Sequence, residues 1–293
     1  MSAEILKQLA LPIALFAVLF GMGLSLVPED FRRVVLKPKA KIVGLACQLL
    51  MLPAVALVLA LLFRLPGELA VGLMVLAACP GGATSNVITH LAKGDTALSV
   101  TLTAISSMVC VFTIPWVVGA SMEFFMGTSA AVALPFWKTL GQLTVVTIVP
   151  ILCGMAVRRA RPALAQRLER PASIFSLVFL ALIIAAAVLQ EKDLAQQFAL
   201  AGPAAISLNV LTMIFGFAAG WLAGLPRTQR ITISIESGIQ NGTLALAITL
   251  GLLDNPHIAM PSVVYSLFMF VTGAMMIAWF GRRKTSSAAE LAR

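Results

Sequence analysis

One glutamate stands alone in an otherwise apolar stretch, in the run Ser234-Ile235-Glu236-Ser237-Gly238-Ile239-Gln240-Asn241-Gly242. An unpaired charge near the centre of a bilayer costs roughly 3 kcal/mol on insertion scales, so a carboxylate kept there meets a cation, a proton or a polar cavity. The plainer alternative is a protonated Glu hydrogen-bonded between packed helices. A second polar interruption, Cys79-Pro80-Gly81-Gly82-Ala83-Thr84-Ser85-Asn86, falls in another apolar run. Pro80 removes a helical hydrogen bond and Gly81-Gly82 adds backbone freedom, so an unwound segment with bare carbonyl and amide groups is expected there. Ser99 and Thr103 lie four residues apart, on one helix face, and Gln48 is an isolated amide in an apolar segment. Taken singly, a membrane-embedded Ser or Thr more often bonds its own i−4 carbonyl or a neighbouring helix. Together with Glu236, Gln240 and Asn86 these side chains offer several hard oxygens around one negative charge. That set suits Na⁺ better than a transition metal.

The elements that must position these residues are membrane helices. Of 293 residues 60% are hydrophobic and only 11% charged, where soluble domains carry about 25% charge; the mean hydropathy is +0.98. Apolar runs long enough for ~30 Å of hydrocarbon predict nine transmembrane helices, at about 5 to 26, 41 to 63, 68 to 92, 96 to 120, 133 to 157, 172 to 190, 197 to 222, 228 to 253 and 259 to 280. The net charge of +9 does not point to nucleic acid, because the basic residues sit in short clusters between these runs. With nine spans, 17 of the 21 Lys and Arg fall on one side, and only Lys7, Arg64, Lys138 and Lys192 on the other. The expected topology therefore has the N-terminus outside and the C-terminus in the cytoplasm, in the cell (inner) membrane. The first span lacks a basic n-region and a small-residue cleavage site, so it is read as part of the mature protein.

An odd central span makes the halves opposite in direction. Residues 1–130 (spans one to four) form one expected inverted repeat, 131–160 (span five) the connector, and 161–293 (spans six to nine, with a short tail) the other. The two polar interruptions then occupy corresponding spans, the third and eighth. Glu236 lies nine residues past Arg227, about 14 Å along a helix, and Ser85 and Asn86 lie roughly 11 Å from Lys93, so the breaks meet at similar depth. Matched breaks in inverted halves point to a transport site at their interface. Catalysis lacks its partners: His90 and His257 lie near span ends, and no second carboxylate shares the depth of Glu236. An intramembrane enzyme is therefore the weaker reading, and proton coupling through Glu236 alone is the alternative within transport. Cys47, Cys79, Cys110 and Cys153 all lie within apolar spans, without metal-ligand spacing, and read as packing residues. The lipid bilayer is the one macroscopic partner required, and no feature calls for an obligatory protein partner.

Phe20-Gly21-Met22-Gly23-Leu24 with Pro28 and Phe31, Gln48, Pro80-Gly81-Gly82 with Ser85-Asn86-Val87, Gly94 with Thr96-Ala97-Leu98-Ser99-Val100, and Glu236 with Gly238, Gln240 and Asn241 together resemble the bile acid:sodium symporter family, over nearly the whole chain. The likeness is to its nine-span form. The resemblance implies core and panel domains built from inverted repeats, with the two broken helices crossing in the core. It implies one Na⁺ held by Ser85, Asn86, Ser99, Thr103 and Glu236. A second would be held by Gln48, Glu236, Gln240 and the backbone carbonyls around Ser237 and Ile239. The implied cargo is a small organic anion beside the crossover, near Thr84, Asn241 and the amino ends of the half-helices at Gly82 and Gly242. Phe268-Met269-Phe270 is apolar where some bacterial members place polar residues near the substrate.

Overall fold

The computed structural model describes residues 13, 16–24, 38–127, 136–190 and 194–281, and these are helical apart from short connections. In chain order they form α1 (16–24), α2 (Pro38–Leu62), α3 (Gly67–Ala78), α4 (Ala83–Leu91), α5 (Thr96–Met126), α6 (Phe136–Ala160), α7 (Pro162–Gln190), α8 (Leu194–Leu222), α9 (Arg227–Gly238), α10 (Gly242–Leu252) and α11 (Pro256–Gly281). Pro28, Phe31, most of the first expected span and the C-terminal tail lie outside the described residues.

Among the described residues three helices, α2, α8 and α11, are long and apolar enough to cross a bilayer singly. A fourth, α5, passes if its parts Thr96–Cys110 and Phe112–Met126, inclined at 57°, count as one span. Pro115 accounts for the bend, since it cannot donate to the carbonyl of Val111 one turn back. The third and eighth expected spans are each divided: α3 and α9 have 12 residues apiece, too few to span alone, and each continues after a break into α4 or α10. The largest boundary difference from the sequence reading is at α7, and α5 runs six residues past its expected end. α7 starts at Pro162, ten residues before the expected span, because Pro is favoured in a first helical turn and Ala-Leu-Ala-Gln-Arg-Leu-Glu-Arg continues in helix-forming residues.

The exterior is apolar as well as the core. Leu50, Leu62, Leu222 and Trp279 are each at least 70% exposed, an apolar exterior suited to lipid. The centre holds the broken helices. Every residue of Leu69–Ala78 in α3 and of Ile231–Gly238 in α9 is buried, so neither has the solvent-facing stripe of a surface helix.

The two broken helices are entered and left in the same way, 160 residues apart. α2 ends with Arg64 in the left-handed region (φ 49°), its amide donating to Leu61 O and that of Leu65 to Ala60 O. α8 ends with Gly224 there (φ 65°), its amide donating to Trp221 O and that of Leu225 to Gly220 O. Each is a Schellman stop with a leucine behind it, followed by a proline, Pro66 or Pro226, that opens the next helix. Beyond the breaks, Asp95 caps α5 by accepting from Leu98 N, and Asn255 caps α11 by accepting from Ile258 N. Each cap also reaches the first turns of the other broken helix: Asp95 N donates to Thr232 Oγ1 at 2.8 Å, and Asn255 Nδ2 to Glu68 Oε1 at 2.8 Å. The stacked ring pairs Phe16–Phe20 of α1 and Phe175–Phe179 of α7 follow nearly the same spacing.

Candidate functional site

Breaking a buried helix releases backbone groups that must find partners within the protein. The two breaks supply many for each other. Gly81 and Gln240 pair as an isolated antiparallel bridge, and Asn241 N donates to Pro80 O at 2.9 Å. The segments therefore cross, running in opposite directions. A Cβ at Gly81 would stand 2.8 Å from Glu236 Oε2, so a larger residue at this crossing would displace the carboxylate.

Glu236, 3% exposed, points from the last turns of α9 into a ring of hydroxyls. Its Oε1 accepts from Ser85 Oγ at 2.6 Å and Ser99 Oγ at 2.5 Å, and its Oε2 from Thr103 Oγ1 at 2.8 Å. The same Ser85 hydroxyl lies 2.7 Å from Gly82 O, and that of Ser99 lies 2.8 Å from Asn86 Oδ1. Three hydroxyls thus face five acceptor contacts of 2.8 Å or shorter, yet each carries one proton. The cluster is short of positive charge. A small hard cation corrects the shortage with the oxygens in place, and these oxygens fit sodium better than a softer metal. A proton on Glu236 would correct part of it.

The amides stand on the other side of the crossover. Gln48 sits in a π-helical turn, Cys47–Met51, just before Pro53, whose missing N–H leaves the helix unable to keep its ordinary register there. Gln48 Nε2 donates to Gln240 Oε1 at 2.8 Å and to Cys79 O, the carbonyl released at the end of α3, at 3.1 Å. Gln240 Nε2 donates to Ser237 O at 3.0 Å and Glu236 O at 3.3 Å. Gln48, Gln240, Glu236 and the Ser237 carbonyl are thereby brought together, and Ile239 follows them in extended backbone with its side chain fully buried. Thr84 and Asn241 are half-buried at the openings of α4 and α10, where Asn241 Oδ1 accepts from Leu244 N at 3.0 Å. Gly82 and Gly242 are buried beside them, Gly242 so close to Ser266 that a Cβ would require its hydroxyl to move.

Sequence reasoning did not single out Asn209 and Tyr265, whose side chains both meet the Gly238 carbonyl where α9 stops. A signal existed: Tyr265 is the chain's single tyrosine, and Asn209 is the one amide inside the seventh expected span, whose only other amide, Gln197, is its first residue. Asp95, which ties the α4–α5 turn to α9, was also missed because it lies at a span end where charges are unremarkable.

A carboxylate among convergent oxygens, buried where two broken helices cross inside an apolar-jacketed bundle, is the arrangement of a multi-pass membrane transporter. The family described as the sodium bile acid symporter family matches residues 12–197. The chain belongs to that family. It is 29% identical over 272 residues to an uncharacterised sodium-dependent transporter of Bacillus subtilis, YocS, covering 92% of this chain and 83% of that one. It is 28% identical over 274 residues to the probable chloroplastic sodium/metabolite cotransporter BASS2 of Oryza sativa, covering 92% of this chain and 64% of the rice protein, somewhat under two thirds of its length. It is 25% identical over 281 residues to the ileal sodium/bile acid cotransporter of Oryctolagus cuniculus, covering 94% and 79%. Sodium-coupled movement of a small molecule across a membrane is the activity that this family supports.

Proposed function

We propose that this protein imports a small organic anion, a bile-acid-like compound or other small carboxylate, together with sodium by alternating access. The observation that carries the reading is the shortage of protons around Glu236, where three hydroxyls face five acceptor contacts at the crossing of two broken helices. One sodium would be held by Ser85, Asn86, Ser99, Thr103 and Glu236. A second would be held by Gln48, Gln240, Glu236 and the carbonyls at Ser237 and Ile239, after the amide pairs now formed there exchange partners. Sodium neutralises Glu236 and draws the two unwound segments together. The amino ends of α4 and α10, near Gly82, Thr84, Asn241 and Gly242, then present partial positive charge to the anion.

The architecture proposed with it has nine spans, the N-terminus outside and the C-terminus in the cytoplasm of the cell (inner) membrane. Residues 1–130 and 161–293 would be inverted repeats joined by 131–160, and a core containing the crossed helices would rock against a panel. The antiparallel crossing and the helix ends repeated 160 residues apart support this reading. Two sodium ions moving with one monovalent anion carry one net charge, which gains about 2.3 kcal/mol at 100 mV. A tenfold sodium gradient adds about 1.4 kcal/mol per ion. The total, about 5 kcal/mol, sustains a substrate gradient of several thousandfold.

The test is anion uptake into proteoliposomes with an imposed sodium gradient, a potassium control and an imposed pH gradient. Uptake that follows sodium at constant pH supports the proposal. Uptake that follows pH and ignores sodium would assign Glu236 to proton coupling, the reading that the same proton shortage also permits. Screening anions by thermal shift, with sodium and potassium compared, identifies the cargo.

A further inference from the structure

At the first break, the carbonyl released at the end of α3 is held by an amide from the preceding long helix, as Gln48 of α2 donates to Cys79 O. The second break has the same device built from other residues. Asn209 of α8 donates through Nδ2 to Gly238 O at 2.6 Å, and Tyr265 of α11 donates its hydroxyl to the same oxygen at 2.9 Å. All three groups are buried, Asn209 and Tyr265 completely. Had α9 continued, Gly238 O would accept from Gly242 N, which donates to Gln240 O instead. Gly238 is also locked sideways, for a Cβ there would collide with the Met213 side chain of α8.

We infer that Asn209 and Tyr265 are positioning residues for the sodium site, acting by pinning the Gly238 carbonyl on the α8 and α11 side of the break. The inference rests on the reading of Glu236, Gln240 and Ser237 as sodium ligands. With Gly238 O fixed outward, the preceding Ser237 carbonyl is held toward Gln240, whose Nε2 reaches it at 3.0 Å and whose Oε1 meets Gln48. Two donors on one oxygen exceed what satisfying that carbonyl requires, and Asn209 leaves its own Oδ1 buried without a partner among the described residues. The arrangement holds one geometry at the break at the expense of complete hydrogen bonding in the amide. It also places the ion site in mechanical contact with α8 and α11, so a movement of either helix is felt at the Ser237 carbonyl.

The experiment is a sodium titration of thermal unfolding, at constant ionic strength with potassium as replacement, on the full chain and on Tyr265→Phe and Asn209→Ala. Tyr265→Phe keeps the ring and its packing, so it remains informative if Asn209→Ala does not fold. The expected result is a half-saturating sodium concentration raised at least fivefold in Tyr265→Phe, with maximal stabilisation at saturating sodium retained. A purely structural role predicts a lower Tm in potassium with an unchanged half-saturating concentration, and that result would overturn the inference. The unsubstituted protein separates this failure from the other: if sodium does not stabilise it at all, the sodium reading itself is lost, whereas a normal response shared by Tyr265→Phe removes only the positioning role.

Discussion

The two broken helices share their backbone plan but not their chemistry. Moving each member of the oxygen cluster by 160 residues replaces Glu236 with Leu76, Ser85 with Ala245, Asn86 with Leu246, Ser99 with Ala259 and Thr103 with Val263. All five counterparts are buried and apolar. The helix stops, the opening prolines, the left-handed residues and the capping side chains recur, while the charge does not. Backbone groups released at a break need partners wherever the break occurs, so the plan that supplies them is kept in both places. A buried carboxylate is costly unless surrounded, and one placed at the crossing already touches both segments. The backbone plan of the two breaks thus recurs, while the carboxylate stands in one of them.

The most damaging test of this difference is to give the silent half its own charge. Leu76→Glu puts an unpaired carboxylate among apolar side chains, and a loss of at least about 3 kcal/mol is expected, read as loss of folded monodisperse protein in detergent. Recovery of full stability by sodium in that variant would mean that the apolar half can also build an ion site. Next in size, Glu236→Gln should leave the fold assembled, since an amide replaces the carboxylate at equal volume, and should abolish sodium-dependent stabilisation and uptake. Persisting sodium dependence would move the site elsewhere. Ser99→Ala or Thr103→Ala removes one hydroxyl from the ring and is expected to raise the half-saturating sodium concentration about tenfold, equivalent to roughly 1.4 kcal/mol; the conjugate substitution Val263→Thr should leave it unchanged. Smallest is the effect on the shared plan. Asp95→Ala and Asn255→Ala should each cost about 1 kcal/mol of stability through lost helix caps, with a similar fall in Tm for both. A large difference between the two would show that the ties to Thr232 and Glu68 are not equivalent.

Much of this was legible before any coordinates. Pro80, Gly81 and Gly82 mark a break because proline lacks a donor and glycine lacks a Cβ, properties of the residues themselves. Glu236 stands out because its cost in lipid is large wherever its neighbours are. Ser99 and Thr103 share a helix face by spacing alone. Less legible were the partners. Nothing in the sequence says that the Ser85 hydroxyl serves both Gly82 O and Glu236, or that Gln48 meets Gln240 across 192 positions. Asn209 and Tyr265 escaped because their target is a backbone carbonyl, which every residue carries and no pattern marks. The early start of α7 escaped because a helix can run past the hydrophobic stretch that identifies it.

The sequence by itself determined a bundle of apolar helices, two of them broken, and one carboxylate that could not stay unaccompanied in lipid. Those consequences follow from the transfer cost of single residues and from the covalent limits of proline and glycine, which act locally. Only the tertiary structure decided that the breaks cross antiparallel, that five close acceptor contacts gather where three protons are available, and that the carboxylate of one break is met by hydroxyls of the other. The three contacts to the Glu236 carboxylate are distances of about 3 Å between residues more than a hundred positions apart, and such distances exist only once the helices have packed.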